Sequence, residues 1–362
     1  MPRPYDAGAT RSPLGRRATS VGQVSFLRPS DEPSVAIRQL SRWLEADNPD
    51  PLLIETSGST GAPKRVVLPR RAVLASVEAS ARRLGESGRW LLALPSSYVA
   101  GVQVIVRSLV AGHEPIVVDG LDVGRAAASD HSPTPTFVSL VPTQLHRILA
   151  NPEQLASLAR CHTVLLGGAG LDAEHRRLAE EAGVNIVATY GSSETAGGCV
   201  YDGVPLDGVG VTLGEGGRVR IAGPTLFSHY ESDPELTAAS VDDGWFLTSD
   251  EGRFDEDGRL QIVGRIDDVV ISGGVKIPLA LVADRLRENL QVEQAEVFGV
   301  PDPEWGQKLV AVIVGTANDA ELRDWVSTVH PRSWAPREFV RVASLPLLPN
   351  GKVDRQALQA GL

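Results

Sequence analysis

The sequence predicts an α/β fold: a large N-terminal domain of layered α/β sheets with a β subdomain, followed by a small C-terminal α+β domain. Three observations predict it. The chain has 362 residues, more than one hydrophobic core usually supports, so a large unit plus a smaller one is expected. From Pro51 to about Tyr201, short apolar runs alternate with longer amphipathic ones, the pattern of helices layered on a largely parallel sheet. Beyond Tyr201 the helical runs give way to short strands punctuated by glycine.

Taken in order, Val35, Ile37, Leu40, Trp43 and Leu44 recur at helical spacing and predict an opening helix over 34–45. Strand-like runs at 52–55, 90–94, 137–141, 164–166 and 186–188 then alternate with helical patterns at 70–84, 101–110, 143–149 and 173–181, and are expected in the parallel sheet. The β subdomain carries strands at 217–221, 245–247 and 259–263. From Asp267 a helix over 279–289, strands at 295–300 and 309–314, a helix over 320–329 and a strand at 339–342 make the small domain. The expected division is 1–266 and 267–362.

Composition narrows the class of function. The hydrophobic fraction of 42% and charged fraction of 22% are those of an ordinary globular chain. Lys+Arg of 35 against Asp+Glu of 45 gives a net charge of −10 with no basic run, which argues against nucleic acid as a partner. An anionic small molecule would need locally positive groups, for which Lys64, Arg265 and Lys352 are candidates. Cys161 and Cys199 stand far apart, and the seven histidines form no metal-ligand motif, so a reducing compartment is expected and structural zinc is not. The first twenty residues lack the apolar stretch of a secretory signal, and no apolar run approaches the ~20 residues that span a bilayer. The expectation is a cytoplasmic protein without membrane insertion. A homodimer is compatible with the sequence, which carries no motif for one.

The run Thr56-Ser57-Gly58-Ser59-Thr60-Gly61-Ala62-Pro63-Lys64 packs hydroxyls, glycines and a lysine between an apolar strand and a second short strand at 66–68. Glycines let backbone N–H groups approach phosphate oxygens, hydroxyls add donors and lysine adds a point charge. Composition alone fits a flexible surface turn equally well. The spacing satisfies neither the P-loop pattern nor G-x-G-x-x-G. It does resemble the first signature of the adenylate-forming superfamily of acyl- and aryl-CoA ligases, T-S-G-[ST]-T-G-x-P-K-G, departing from it at Arg65, where glycine is usual.

Further stretches resemble that superfamily in the same order. Gly167-Gly168-Ala169 resembles its adenine-pocket turn, and Tyr190-Gly191-Ser192-Ser193-Glu194-Thr195 its Y-G-x-[TS]-E-x signature. There the resemblance implies a tyrosine against adenine, Ser/Thr contacts to phosphate and a glutamate for Mg²⁺, a hard cation that prefers oxygen. Trp245-Phe246-Leu247-Thr248-Ser249-Asp250 resembles W-F-x-T-G-D, whose aspartate holds the ribose hydroxyls, with Ser249 in place of glycine. Gly264-Arg265-Ile266-Asp267-Asp268 resembles G-R-x-D-D, which implies a nucleotide contact for Arg265 and a hinge at Asp267. Ser272-Gly273-Gly274-Val275-Lys276 resembles the loop along the CoA channel, and Pro346 to Arg355 resembles the terminal P-x-x-x-x-G-K-[VI]-x-R signature with its catalytic Lys352.

The resemblance implies an ATP-dependent acid–CoA ligase with ATP, Mg²⁺, CoA and a small-molecule acid as its partners, and a C-terminal domain that moves about Asp267. Lys352, Glu194 and Thr60 are the implied catalytic residues. Thr56, Ser57, Gly58, Ser59, Gly61, Lys64, Gly168, Ala169, Tyr190, Gly191, Ser192, Ser193, Thr195, Asp250 and Arg265 are implied at the nucleotide, and Gly273 and Gly274 at CoA. The chain is short for the superfamily, as are o-succinylbenzoate–CoA ligases of menaquinone biosynthesis, which it also resembles over residues 138–145 and at Leu94-Pro95 followed by Val99-Ala100-Gly101. Tyr98 stands where the family commonly has histidine. Tyr98, Ser139 and Thr143 are candidates for an acid pocket, although Ser139 and Thr143 equally suit a helix cap and Tyr98 core packing. Another aryl or acyl acid, or a carrier-protein thiol in place of CoA, remains an alternative.

Overall fold

A computed structural model describes residues 25–56, 63–118, 122–123, 126 and 133–362. The opening helix Pro33–Glu45 starts with proline in its first turn and buries Ala36, Ile37, Leu40 and Trp43 along one stripe.

The centre is a seven-stranded sheet in the order Ile116–Val117, Arg89–Leu92, Thr136–Leu140, Thr163–Gly167, Ile186–Ser192, Gly197–Tyr201, Val204–Pro205. The first five strands are mutually parallel and the last two pairings antiparallel. Successive residues serve opposite faces. Trp90, Leu92, Phe137 and Leu165 pack into a core shared with the helices Arg70–Leu84 and Val99–Val110. Leu91, Val138, Leu140, Val164 and Leu166 pack into a second core under the helices Pro142–Leu149, Pro152–Leu158 and Ala173–Glu181. A sheet covered on both faces needs apolar residues at every position, which is why these strands read as unbroken apolar runs.

One element departs from expectation. Leu52–Thr56 is not in the parallel sheet; it pairs antiparallel with Lys64–Leu68, which pairs in turn with His229–Tyr230. The short link from Thr56 to Lys64 allows a hairpin, whereas a parallel neighbour needs a crossover of a dozen or more residues.

The β subdomain is a five-stranded antiparallel sheet of Gly210–Leu213, Arg218–Ala222, Trp245–Phe254, Val241–Asp242 and Leu260–Arg265. A short helix, Pro234–Ser240, is added to the predicted strands. Residues 269–362 have a core of their own, with Ile277, Leu286, Val297, Ala311, Ile313, Leu322 and Val326 buried between two helices, Leu279–Arg287 and Asp319–Ser327, and a three-stranded sheet. In that sheet Val292–Asp302 and Gly306–Gly315 form a hairpin, and Glu338–Arg341 returns parallel after its helix. An isolated bridge between Leu347 and Val353 closes the turn that carries Lys352.

Candidate active site

Two strand ends, the middle of a third strand and one turn converge. The parallel strands Thr163–Gly167 and Ile186–Ser192 are in register at Gly167 and Thr189, and their C-terminal ends deliver Gly168 and the stretch from Tyr190 to Thr195. Ligands in such sheets collect at these ends. The strand Trp245–Phe254 brings Asp250 alongside, opposite Arg265 in the pairing with Leu260–Arg265.

Lys352 reaches this point from the far end of the chain. Its turn is held by hydrogen bonds from the Gly351 N–H to the Leu348 carbonyl (2.8 Å) and from the Leu348 N–H to the Lys352 carbonyl (2.8 Å). The lysine stem lies against Gly168, whose φ is +87°; an added Cβ there would stand 2.9 Å from Cε and 3.6 Å from Nζ. Both the backbone conformation and the close approach exclude a larger residue at Gly168. Taken as a whole residue, Lys352 is exposed. Its amine end is nevertheless surrounded by protein, and that burial lowers its pKa, with Arg265 adding to the effect and the Asp250 carboxylate opposing it.

Tyr190 and Asp250 are joined directly. The tyrosine hydroxyl donates to Asp250 Oδ2 at 2.6 Å, and burial together with the neighbouring carboxylate pushes the phenol well above its usual range. Burial also raises Asp250, while Tyr190 and Arg265, whose Nη1 is 3.9 Å from Asp250 Oδ1, act to lower it. Arg265 is itself clamped by Asp267 through two hydrogen bonds of 2.8 and 2.7 Å. That pair outweighs the partial burial of Asp267 and holds its pKa below the ordinary value.

Glu194 is 7% exposed and Oε1 accepts the Tyr230 hydroxyl at 2.8 Å, so it is not a solvated loop glutamate. Ser192 Oγ beside it is buried and unpartnered. One carboxylate and hydroxyl groups at a strand end suit a magnesium ion that takes its remaining ligands from phosphate and water; among the described residues no group of three His, Cys, Asp or Glu forms a metal cage. Thr195, expected at the nucleotide, is fully buried and braces the loop: its hydroxyl donates to the Gly197 carbonyl at 2.7 Å and accepts the Ser192 N–H at 2.8 Å.

Of the hydroxyl-rich loop, Ser57, Gly58, Ser59, Thr60 and Gly61 lie outside the described residues. Its flanks are in place: the Thr56 hydroxyl donates to the Lys64 carbonyl at 3.4 Å, and Lys64 Nζ is 5.6 Å from the centre of the Tyr230 ring, on the Glu194 side of the site. Arg65 is accommodated by an ion pair with Glu231 at 2.7 Å, and Ser249 accepts the Ile266 N–H at its carbonyl. Gly191 and Ser193 stand on the loop that carries Glu194, and Ala169 follows Gly168 on its turn. Gly273 and Gly274 form the turn between Val269–Ser272 and Val275–Pro278, with φ of +56° and +79°, and Gly273 donates its N–H to the Trp305 carbonyl.

The acid-pocket candidates separate. Tyr98 caps the helix Val99–Val110 through its backbone, and Ser139 is buried in the central strand Thr136–Leu140. Thr143 instead donates to the Gly351 carbonyl at 2.7 Å. Neither Ser139 nor Thr143 caps the following helix; Gln144 accepts the Val141 N–H at 3.0 Å.

Two residues beneath the Glu194 loop were not among those expected from the sequence. Gln103 Nε2 donates to the Ala196 carbonyl at 2.7 Å and holds Ala196 at a φ of +53°, an unfavourable conformation for a residue with a Cβ. Arg107 is 7% exposed, stacks over Trp90 and donates to the Tyr201 hydroxyl at 3.2 Å, while its Nε is unpartnered. No carboxylate pairs with it among the described residues. Polar residues inside a largely apolar helix, Gln103 and Arg107 among them, are the signal the sequence offered.

Comparisons with known proteins identify the family. The profile of the AMP-binding enzyme family matches residues 19–230, and that of the AMP-binding enzyme C-terminal domain matches 282–352. The chain is 38% identical over 326 residues to a Mycobacterium tuberculosis protein named probable 2-succinylbenzoate–CoA ligase, covering 87% of this chain and 85% of that one. It is 32% identical to a feruloyl-CoA synthase of Amycolatopsis, covering 83% and 68%. The solved Bacillus subtilis o-succinylbenzoate CoA synthetase, in complex with its acyl-adenylate intermediate, superposes with a TM-score of 0.75 at 26% identity, over 85% of this chain and 68% of that one.

Proposed function

Because this chain belongs to the AMP-binding enzyme family, we propose that it is an ATP-dependent acid–CoA ligase acting on 2-succinylbenzoate, with the acid first activated as an acyl-adenylate. The observation that carries this reading is the seat of Lys352 against Gly168, facing Asp250. A cation placed there from a separate core suits charge that develops during the first step only.

In that step a carboxylate oxygen of the acid bonds to the α-phosphorus of ATP and the bond to pyrophosphate breaks. Lys352 neutralises charge between carboxylate and α-phosphate, Asp250 and Tyr190 hold ribose and adenine, and Lys64 with the 56–64 loop holds the leaving group. Glu194 would hold Mg²⁺, which when bound neutralises phosphate charge. In the second step the CoA thiol sulfur bonds to the acyl carbon, its proton is released and AMP leaves. The small domain, taken as 267–362, would turn about Asp267, withdraw Lys352 and bring Gly273 and Gly274 to the CoA path. ATP and CoA as substrates suit action in the cytoplasm. Menaquinone biosynthesis is the pathway that the likeness to 2-succinylbenzoate ligases supports.

A second reading, an aryl monoacid as in feruloyl-CoA synthase, is favoured by the Amycolatopsis relative. The diacid is favoured by the higher identity, 38% over 87% of this chain, to a protein named probable 2-succinylbenzoate–CoA ligase, against 32% for the feruloyl-CoA synthase. Pyrophosphate release should be measured with 2-succinylbenzoate, ferulate, benzoate and a fatty acid, followed by acyl transfer to CoA or to a carrier-protein thiol. Release with 2-succinylbenzoate and transfer to CoA supports the proposal; preference for ferulate, or transfer to the carrier alone, overturns it.

A further inference from the structure

We propose that Thr143 is a positioning residue for the first half-reaction: a latch that holds the Lys352 turn against the N-terminal domain, and not part of an acid pocket. The inference rests on the two-step reading above. A threonine hydroxyl has one proton to give, and Thr143 gives it to the Gly351 carbonyl, 208 positions along the chain and immediately before Lys352, at 2.7 Å. Donated there, it leaves the hydroxyl nothing to donate to an acid.

The latch is mounted on a rigid base. Gln144, next in the chain, accepts the Val141 N–H at 3.0 Å and donates to the Ala93 carbonyl at 2.8 Å, which ties the start of the helix Pro142–Leu149 to the strand side of the sheet. Val141 closes over the same turn, so a Cβ at Gly351 would stand 2.9 Å from Val141 Cγ2. On the other side the turn is stiffened by the Asn350 side chain, which accepts the Lys352 N–H at 3.1 Å. Thr143, Val141, Gly351 and Lys352 therefore form one docked contact, made by the state in which Lys352 faces Gly168 and broken when the small domain turns. Removing the hydroxyl shifts the population away from that state by the worth of one hydrogen bond.

The test compares Thr143→Val, which keeps the shape and loses the hydroxyl, with Thr143→Ser, which keeps the hydroxyl. Adenylate formation, read as pyrophosphate release, is expected to fall about tenfold in Thr143→Val, recover in Thr143→Ser, and leave transfer from a supplied acyl-adenylate to CoA within about twofold of the parent. Equal loss of both half-reactions, or a change confined to the KM of the acid, overturns the latch. Nitroxide labels at Ala150→Cys and Gln359→Cys, both exposed, give a readout independent of activity, because Cys161 and Cys199 are buried. Electron–electron resonance should show the short, docked distance in the parent and in Thr143→Ser, and a larger separated fraction in Thr143→Val. An unchanged distribution overturns the latch. If the parent releases no pyrophosphate with any acid, the functional reading fails, and the distances alone decide on Thr143.

Discussion

The stem of Lys352 passes so close to Gly168 that a Cβ at 168 would lie 2.9 Å from Cε. Two segments far apart in the chain thus share one point, and the glycine is needed there on two counts, its left-handed φ and the space it leaves. Gly168→Ala is expected to slow adenylate formation at least tenfold, since the strain alone costs about 1–2 kcal/mol. Single-turnover pyrophosphate release checks it, with acyl transfer from a supplied adenylate expected to change less.

The Tyr190 hydroxyl donates to Asp250 at 2.6 Å, and in the proposed reading this pair takes the nucleotide. Tyr190→Phe keeps the ring and loses a bond to a carboxylate, so the KM for ATP should rise by a factor of roughly 10, the worth of about 1.4 kcal/mol. A rise in the KM of the acid instead would place Tyr190 elsewhere in the site.

Tyr230 and Glu194 test the loop that carries the acidic residue. Tyr230→Phe leaves a buried carboxylate oxygen without its donor and should cost about 2 kcal/mol, read from urea unfolding. Glu194→Gln keeps a side chain able to accept from Tyr230; it should remain folded and lose most of its magnesium-dependent pyrophosphate release.

A pair of histidines predicts a pH dependence of stability. His146 Nδ1 and His175 Nε2 lie 3.1 Å apart, between the helices Pro142–Leu149 and Ala173–Glu181. Burial lowers the pKa of His175 from 6.5; Asp172 and Glu174 act to raise it and His146 to lower it. A depressed folded value means that the unfolded chain binds the extra proton first. The contribution to stability is therefore present above about pH 6.5 and is lost as pH falls below it. Thermal unfolding between about pH 8 and pH 5.5 should show a steeper loss on acidification for the parent than for His175→Gln.

The motifs proposed for the site could be picked out in the sequence because their chemistry is local. Hydroxyls and glycines after a strand, a Tyr-Gly-Ser-Ser-Glu run and a Gly-Lys turn each identify themselves within a short stretch of chain. The parallel sheet was legible for a related reason: strands buried on both faces must be apolar throughout. Partners distant in sequence were not. Periodicity marks residues 52–55 as a strand but cannot say which neighbour pairs with it, and the hairpin with Lys64–Leu68 took it out of the parallel sheet. Thr143 has the composition of a cap or a pocket residue, and only its contact with Gly351 assigns it to the lysine turn. Gln103 and Arg107 were not singled out in the sequence, and only the structure sets them against the Ala196 carbonyl and the Tyr201 hydroxyl.

If Lys352 serves adenylate formation and is absent from thioester formation, its removal must separate the two half-reactions. Lys352→Ala should be assayed twice, for pyrophosphate release from ATP with 2-succinylbenzoate and for CoA thioester formation from the supplied acyl-adenylate. The first rate is expected to fall by about a thousandfold or more and the second to stay within a few-fold of the parent. Equal loss of both rates, or an unchanged first rate, would contradict that division of labour.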